Sequence, residues 1–274
     1  MSLPDALIAH AKRFYESGQP PATPKRAATV LLLRDTDRDP AGSGPEVYLI
    51  RRVASMAFAS GMYAFPGGAV DPRDADADLG WIGPSPAEWA RRLGLEDEAA
   101  ARAMVCAAVR ETFEESGVLL AGADAQTVVG DVSGAEWETA RQALVDRTLA
   151  FSDFLAEREL VLRGDLLAGW ARWITPEFEP RRYDTCFFLA ALPTAQRTRH
   201  VGGEADRVLW IRPSAAVARH ARGEMAMLPP TAATLAQLSG EPSVAAALRA
   251  ATTRDLTPIT PKLTFTDDGA ELSF

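Results

Sequence analysis

Cysteine is nearly absent: Cys106 and Cys186 stand far apart in apolar surroundings, which excludes a disulfide framework and any cysteine-based zinc spacing. A reducing cytoplasm is the compartment this predicts. Histidine is also scarce, and His10, His200 and His220 have no metal-ligand spacing. Positive charge is in deficit, with 29 Lys plus Arg against 37 Asp plus Glu and a net charge of −8, so a long nucleic acid would be repelled. No apolar run is long enough to span a bilayer. The uncharged stretch from Val53 to Val70 is broken by Gly61, Pro66, Gly67 and Gly68, and the first residues lack the apolar core of a signal peptide. The last residues, Glu271 to Phe274, form neither an ER-retention nor a peroxisomal address. P-loop, H-E-x-x-H, G-x-S-x-G and G-x-G-x-x-G patterns are missing as well. What remains is a chain of 274 residues, 47% hydrophobic and 24% charged, the balance of a folded globular protein, for which a small phosphorylated metabolite stays allowed as a ligand.

The pattern mixes strands and helices. Residues 27–34 and 46–53 are apolar runs of strand length separated by the turn-rich DTDRDPAGSGP, which predicts a hairpin; Met62 to Phe65 is a third short strand, stopped by Pro66-Gly67-Gly68. Ser2 and Pro4 open a first helix that ends before Gly18. Ser85-Pro86-Ala87-Glu88 is a capping box for a short helix ended by Gly94, a longer helix runs from about Glu96 to Ser116 and meets Gly117, and Ser133 to Glu136 caps another that reaches about Arg147. A further helix is predicted over 153–160, strands over 171–175, 183–191 and 206–212, and helices over 213–222, 230–238 and 243–251; the tail beyond carries no readable pattern. The division is therefore an N-terminal helix and linker at 1–24, a main domain at 25–225 with insertions at about 75–105 and 133–162, and a helical extension at 226–274 packed on the same domain.

Chemistry concentrates in Arg110-Glu111-Thr112-Phe113-Glu114-Glu115-Ser116-Gly117. At about 100° per residue, Glu111, Glu114 and Glu115 share one face of the helix. They crowd its C-terminal turns, where the macrodipole disfavours negative charge, so something positive is expected to offset them. A hard divalent cation, Mg²⁺ or Mn²⁺, meets that need through carboxylate oxygens. Upstream, Phe65-Pro66-Gly67-Gly68 is a turn whose glycines let backbone approach a ligand.

Gly68-x5-Asp74 followed by R-E-T-F-E-E-S-G-V resembles the Nudix box, G-x5-E-x7-R-E-U-x-E-E-x-G-U. Asp74 stands in place of Glu, Thr112 in place of the aliphatic residue, and 35 residues instead of seven separate Asp74 from Arg110, an insertion of about 28. A split box of this kind, with GMYAFPGGAVDPRD, ITPEFEPRRYDTCFFLA and LPPTAATL, is similar to the Nudix branch that includes peroxisomal coenzyme A and acyl-CoA diphosphatases. The resemblance implies an α/β (α+β) fold, an α/β/α sandwich around a mixed sheet, with helical insertions and a helical C-terminal segment. It implies a Mg²⁺- or Mn²⁺-dependent diphosphatase with Glu111, Glu114, Glu115 and the Gly68 carbonyl as metal ligands. Glu111 would also orient the attacking water, Arg110 would steady the carboxylates, and Asp74 would support from behind.

Glu204, in the loop before the strand at 206–212, is a candidate base or further ligand, and Arg51, Arg52, Arg181 and Arg182 are candidate phosphate contacts. Arg51 and Arg52 must face opposite sides of their strand. Trp81 and Trp89 in the first insertion suggest a lid over the site or a homodimer contact. Coenzyme A or an acyl-CoA, split to 3′,5′-ADP and (acyl)phosphopantetheine, is the expected substrate. ADP-ribose, NADH or a nucleotide sugar is the alternative, and a catalytically silent nucleotide sensor is a third reading; no membrane or nucleic-acid partner is expected.

Overall fold

The computed structural model describes residues 5–36, 44–53, 60–200, 202, 205–266 and 269–274. Its elements, in chain order, begin with α1 (Asp5–Ser17), β1 (Lys25–Arg34), β2 (Glu46–Arg52), β3 (Tyr63–Ala64), β4 (Gly67–Ala69), β5 (Trp81–Ile82), α2 (Pro86–Leu93) and α3 (Glu98–Ser116). They continue with β6 (Ala121–Gly122), α4 (Ala135–Val145), α5 (Phe151–Ala156), β7 (Val161–Arg163), β8 (Ala168–Ile174), β9 (Tyr183–Ala191) and β10 (Ala205–Ile211). The chain closes with α6 (Pro213–Ala221), α7 (Pro229–Leu238), α8 (Val244–Ala251), β11 (Lys262–Thr266) and β12 (Gly269–Ser273). Ser2, Pro4 and loop residues 37–43 lie outside the described residues.

The main sheet has the order β10-β2-β1-β9-β8, with β3 on β2 and β4 on β1; β1 and β9 run parallel and the other pairs antiparallel. β1 reads as a continuous apolar run because both its faces are covered. Ala28, Val30 and Leu32 enter the core beneath α2 to α5, while Leu31 and Leu33 enter a second core beneath α6, α7 and α8. That is the α/β/α sandwich. The free edge of β8 is closed by Ile259, which bonds the backbone of Arg172 and Ile174 at 2.8 and 2.9 Å and so removes an open ladder.

Local chemistry fixes the two helices that matter most. In α2 the reciprocal Ser85–Glu88 capping box forms and Gly94 takes the left-handed conformation, as the residue types require. In α3 Asp97 caps the first turn and Gly117, at φ +69°, ends the last. The first insertion is core, which overturns the lid reading for Trp89: this side chain is 1% exposed and packs edge-on against Phe188 at 5.6 Å. Arg172, itself buried, donates to the Leu93 and Gly94 carbonyls at the end of α2 and pairs with Asp184, fastening the insertion to the sheet.

Four features differ from expectation. α4 is capped by Gly134 without a side-chain bond, so Ser133 is not its cap, and α5 occupies 151–156 instead of 153–160. A small sheet β5-β7-β6 joins the two insertions, each strand two or three residues long and too short to show a period. Beyond the predicted helices the tail forms the β11–β12 hairpin, whose Leu263 packs with Ala11 of α1 and Phe178. Among the described residues no helix is long and apolar enough to cross a membrane.

Candidate active site

The two halves of the split box meet in space. β4 lies against β1 with Gly67 opposite Thr29 and Gly68 opposite Ala28. A Cβ on Gly67 would sit 2.4 Å from the Ala28 carbonyl oxygen, and one on Gly68 would sit 2.6 Å from the carboxylate of Glu111. Gly67 is demanded by the backbone of β1, whereas Gly68 leaves room for the Glu111 carboxylate of α3. The Gly67 N–H donates to Glu115 Oε2 at 2.7 Å, so β4 also orients a helix carboxylate directly.

Residues 72–75 then form a single helical turn. Asp71 accepts from the Arg73 N–H, and Asp74 Oδ2 accepts from the Asp71 N–H at 2.8 Å. This turn presents Asp74, 2% exposed, to the middle of α3. Arg110 meets it with a fork: Nε to Oδ1 and Nη2 to Oδ2, both at 2.9 Å. Nη2 also donates to the Ala69 carbonyl at 3.0 Å, and Nη1 donates to Glu111 Oε1 at 2.8 Å and Glu114 Oε1 at 3.1 Å. All five N–H donors of the guanidinium are engaged. The intervening chain leaves and returns to one point, since Cys106, one turn before Arg110, places its Sγ 3.6 Å from Asp74 Oδ1.

Three carboxylates, those of Asp74, Glu111 and Glu114, thus surround the Arg110 guanidinium. Glu111 is pushed up to about 7, first by burial, with Glu114 and Asp74 adding to the rise and Arg110 pulling against it. The Tyr48 hydroxyl, buried beside Glu115, is raised by burial and by that charge. A wholly oxygen donor set with excess negative charge fits a hard divalent cation. As placed, Glu111 and Glu114 are turned toward Arg110, and among the described residues no three acidic, histidine or cysteine side chains close into a metal cage.

The helix end is not left to a metal alone. Arg141 of α4, 3% exposed, donates from Nη1 to the Glu114 carbonyl at 2.7 Å, and the Arg199 N–H donates to the Ser116 carbonyl at 2.9 Å. One guanidinium and one backbone N–H therefore supply part of the compensation that the acidic turn demands. Nothing in the sequence marks Arg141 or Arg199 for this, because the contacts span 27 and 83 positions of chain. Gly67 and Cys106 were legible in principle: one adjoins Gly68, and the other precedes Arg110 by one helical turn.

The remaining candidates belong to other segments of the chain. Arg51 is held by Asp206 through two bonds of 2.7 and 2.9 Å, and Arg52 follows it opposite Ala205. Arg182 is buried and donates to the carbonyls of Thr175 and Ala22, which ties its guanidinium into the scaffold and away from a phosphate role. Arg181, next to it, is exposed. Glu204 falls outside the described residues.

The model described as the NUDT19 Nudix domain matches residues 94–238, more than half of the chain. The chain belongs to the Nudix family. A crystal structure of a Nudix hydrolase from Alicyclobacillus acidocaldarius is similar over 86% of this chain and 99% of that one, with 31% identity and a TM-score of 0.70. The acyl-coenzyme A diphosphatase NUDT19 of Gallus gallus is 28% identical over 250 residues, covering 75% of this chain and 65% of that protein. The putative Nudix hydrolase 7 of Caenorhabditis elegans is 28% identical over 215 residues, covering 78% and 60% respectively. This Nudix chain therefore spans somewhat under two thirds of the length of these curated relatives.

Proposed function

We propose that this Nudix chain is a Mg²⁺- or Mn²⁺-dependent diphosphatase acting on coenzyme A or an acyl-CoA. The observation that carries the reading is the closure of the box across its insertion: Asp74 and Arg110 form a two-bond pair, and the same guanidinium holds Glu114 and holds Glu111 beside Gly68. The substrate class is supported by the relatives named as acyl-coenzyme A diphosphatases, in Gallus gallus and in Homo sapiens.

In this mechanism water attacks one phosphorus, the bridging P–O bond breaks, and the leaving phosphate takes the electron pair. Glu111, Glu114, Glu115 and the Gly68 carbonyl would hold the cation. When bound, the metal supplies charge neutralisation on phosphate oxygens and lowers the pKa of water. Arg110 fixes the carboxylates, and Asp74 fixes Arg110 from the buried side. Glu111, whose carboxyl is raised by burial, would accept the water proton. Exposed Arg181 and the Arg51–Arg52 pair would be the side chains that meet phosphate, with Glu204 as a candidate further acid.

The test is turnover by the purified chain with Mg²⁺ or Mn²⁺ on coenzyme A, acetyl-CoA, a long-chain acyl-CoA, ADP-ribose, NADH and nucleotide sugars. Release of 3′,5′-ADP from the coenzyme A compounds is expected. Preference for ADP-ribose or NADH would transfer the same site to another substrate, and metal binding with no turnover on any of them would leave a nucleotide sensor.

A further inference from the structure

We infer that Arg141, on the helix of the second insertion, is a positioning residue for the metal-binding carboxylates, acting through the backbone end of α3. The inference rests on the carboxylate assignment above. The last carbonyls of a helix have no partner within it and carry its negative partial charge. In α3 they are covered from three directions: Phe113 by the Gly117 N–H, Ser116 by the Arg199 N–H, and Glu114 by the Arg141 guanidinium.

Arg141 is the one among these that brings a full buried charge, and it is braced for the purpose. Glu138, one turn earlier in α4, accepts from its Nε at 3.0 Å and its Nη2 at 2.5 Å. The same carboxylate accepts from Arg199 Nη1 at 3.2 Å, so two guanidinium groups share one acid beneath the helix end. Arg199 is fixed in turn: Tyr48 Oη donates to its carbonyl at 3.0 Å, and a Cβ on Gly117 would lie 2.7 Å from its Nε. Stacking of Phe154 on Phe113, centroids 5.3 Å apart, holds the second insertion on the same stretch of α3.

The consequence is geometric. Glu114 and Glu115 occupy the last turn, the part of a helix that frays first. Their side chains converge with Glu111 and Gly68 only while that turn stays helical. Removing the Arg141 guanidinium would take its charge and its hydrogen bond from the Glu114 carbonyl, at a helix terminus that carries three acids. The second insertion therefore serves the site from behind, without touching substrate.

The test uses the full chain and Mn²⁺ alone, with binding followed by electron paramagnetic resonance. Arg141→Met should raise the Mn²⁺ dissociation constant about tenfold or more, the usual scale for groups that orient metal ligands. It should lower kcat with little change in KM, and Arg141→Lys should recover much of the affinity. Glu138→Gln, at a half-exposed acid, should shift affinity in the same direction by less. Folded variants with wild-type Mn²⁺ affinity and kcat, differing only in melting temperature, would overturn the inference. If Arg141→Met does not fold, wild-type values in both Arg141→Lys and Glu138→Gln would overturn it. Wild-type protein that binds no Mn²⁺ would remove the carboxylate assignment first, a failure visible before any substitution is made.

Discussion

Within one turn of chain this Nudix domain builds the same pair twice. Asp71 holds Arg73 through both carboxylate oxygens at 3.0 Å, and Asp74 holds Arg110 through both at 2.9 Å. The first pair joins neighbours on the surface, with Arg73 43% exposed; the second bridges 36 positions of chain, with Asp74 2% and Arg110 11% exposed. Identical hydrogen-bond geometry therefore carries different weight. An exposed pair is screened and contributes little, whereas a buried pair leaves a naked charge in the interior when one partner goes. The buried pair also fixes the direction of Glu111 and Glu114, which share its guanidinium.

The sharpest way to break the comparison is Arg110→Met. It strands Asp74 and removes the common partner of Glu111 and Glu114. Stability by urea unfolding in the absence of metal should fall by about 3–5 kcal/mol, and the proposed diphosphatase activity should be lost. Wild-type stability would show that Asp74 is comfortable without its partner and that closure of the box comes from packing alone.

Glu115→Gln separates chemistry from scaffold. The amide oxygen keeps an acceptor for the Gly67 N–H, so the fold should be unchanged, while loss of the charge should cut turnover by more than about tenfold. Full activity with undiminished metal dependence would take Glu115 out of the ligand set. Gly68→Ala is the next smaller step. Its Cβ would press on the mobile end of Glu111, which must swing aside, so kcat should drop several-fold while stability changes by no more than about 1 kcal/mol. An unaffected kcat would mean that the Glu111 carboxylate tolerates displacement and is not the group that orients water.

Much of this was legible in the sequence, and the boundary has physical causes. Glycine and capping signals act locally, so Ser85, Gly94 and Gly117 gave the ends of α2 and α3 where the chain makes them. The acidic face of α3 followed from helical spacing alone. What the sequence could not show was distance across the fold. The insertion hid the Asp74–Arg110 contact, because nothing in 35 intervening residues says that they return to their starting point. Arg182 looked like a phosphate ligand, since a guanidinium that will bind backbone carbonyls is chemically the same group. Trp89 looked like a lid because an inserted segment has no prior reason to enter the core, and it does so by covering Phe188 of β9. The C-terminal hairpin was missed for a different reason: β11 buries one residue, Leu263, leaving no alternation to read.

The smallest effect belongs to the surface pair and gives the control. Hydrogen bonds from the Arg73 guanidinium hold the Asp71 carboxyl at about 2, below its ordinary range near 3.8. A carboxyl whose pKa is lower folded than unfolded contributes its stability while ionised. That contribution is fully present above the ordinary value and is lost as pH falls through about 2. With Arg73 largely in solvent, the contribution should be under about 1 kcal/mol. Asp71→Asn should therefore destabilise slightly and evenly at neutral pH, and the gap from wild type should close as pH drops from about 4 toward 2, read from melting temperatures across a pH series. A gap that persisted unchanged to the lowest pH would trace the effect to the Asp71 cap on the Arg73 N–H instead, since an amide oxygen and a protonated acid would then serve that bond unequally without any ionisation between them.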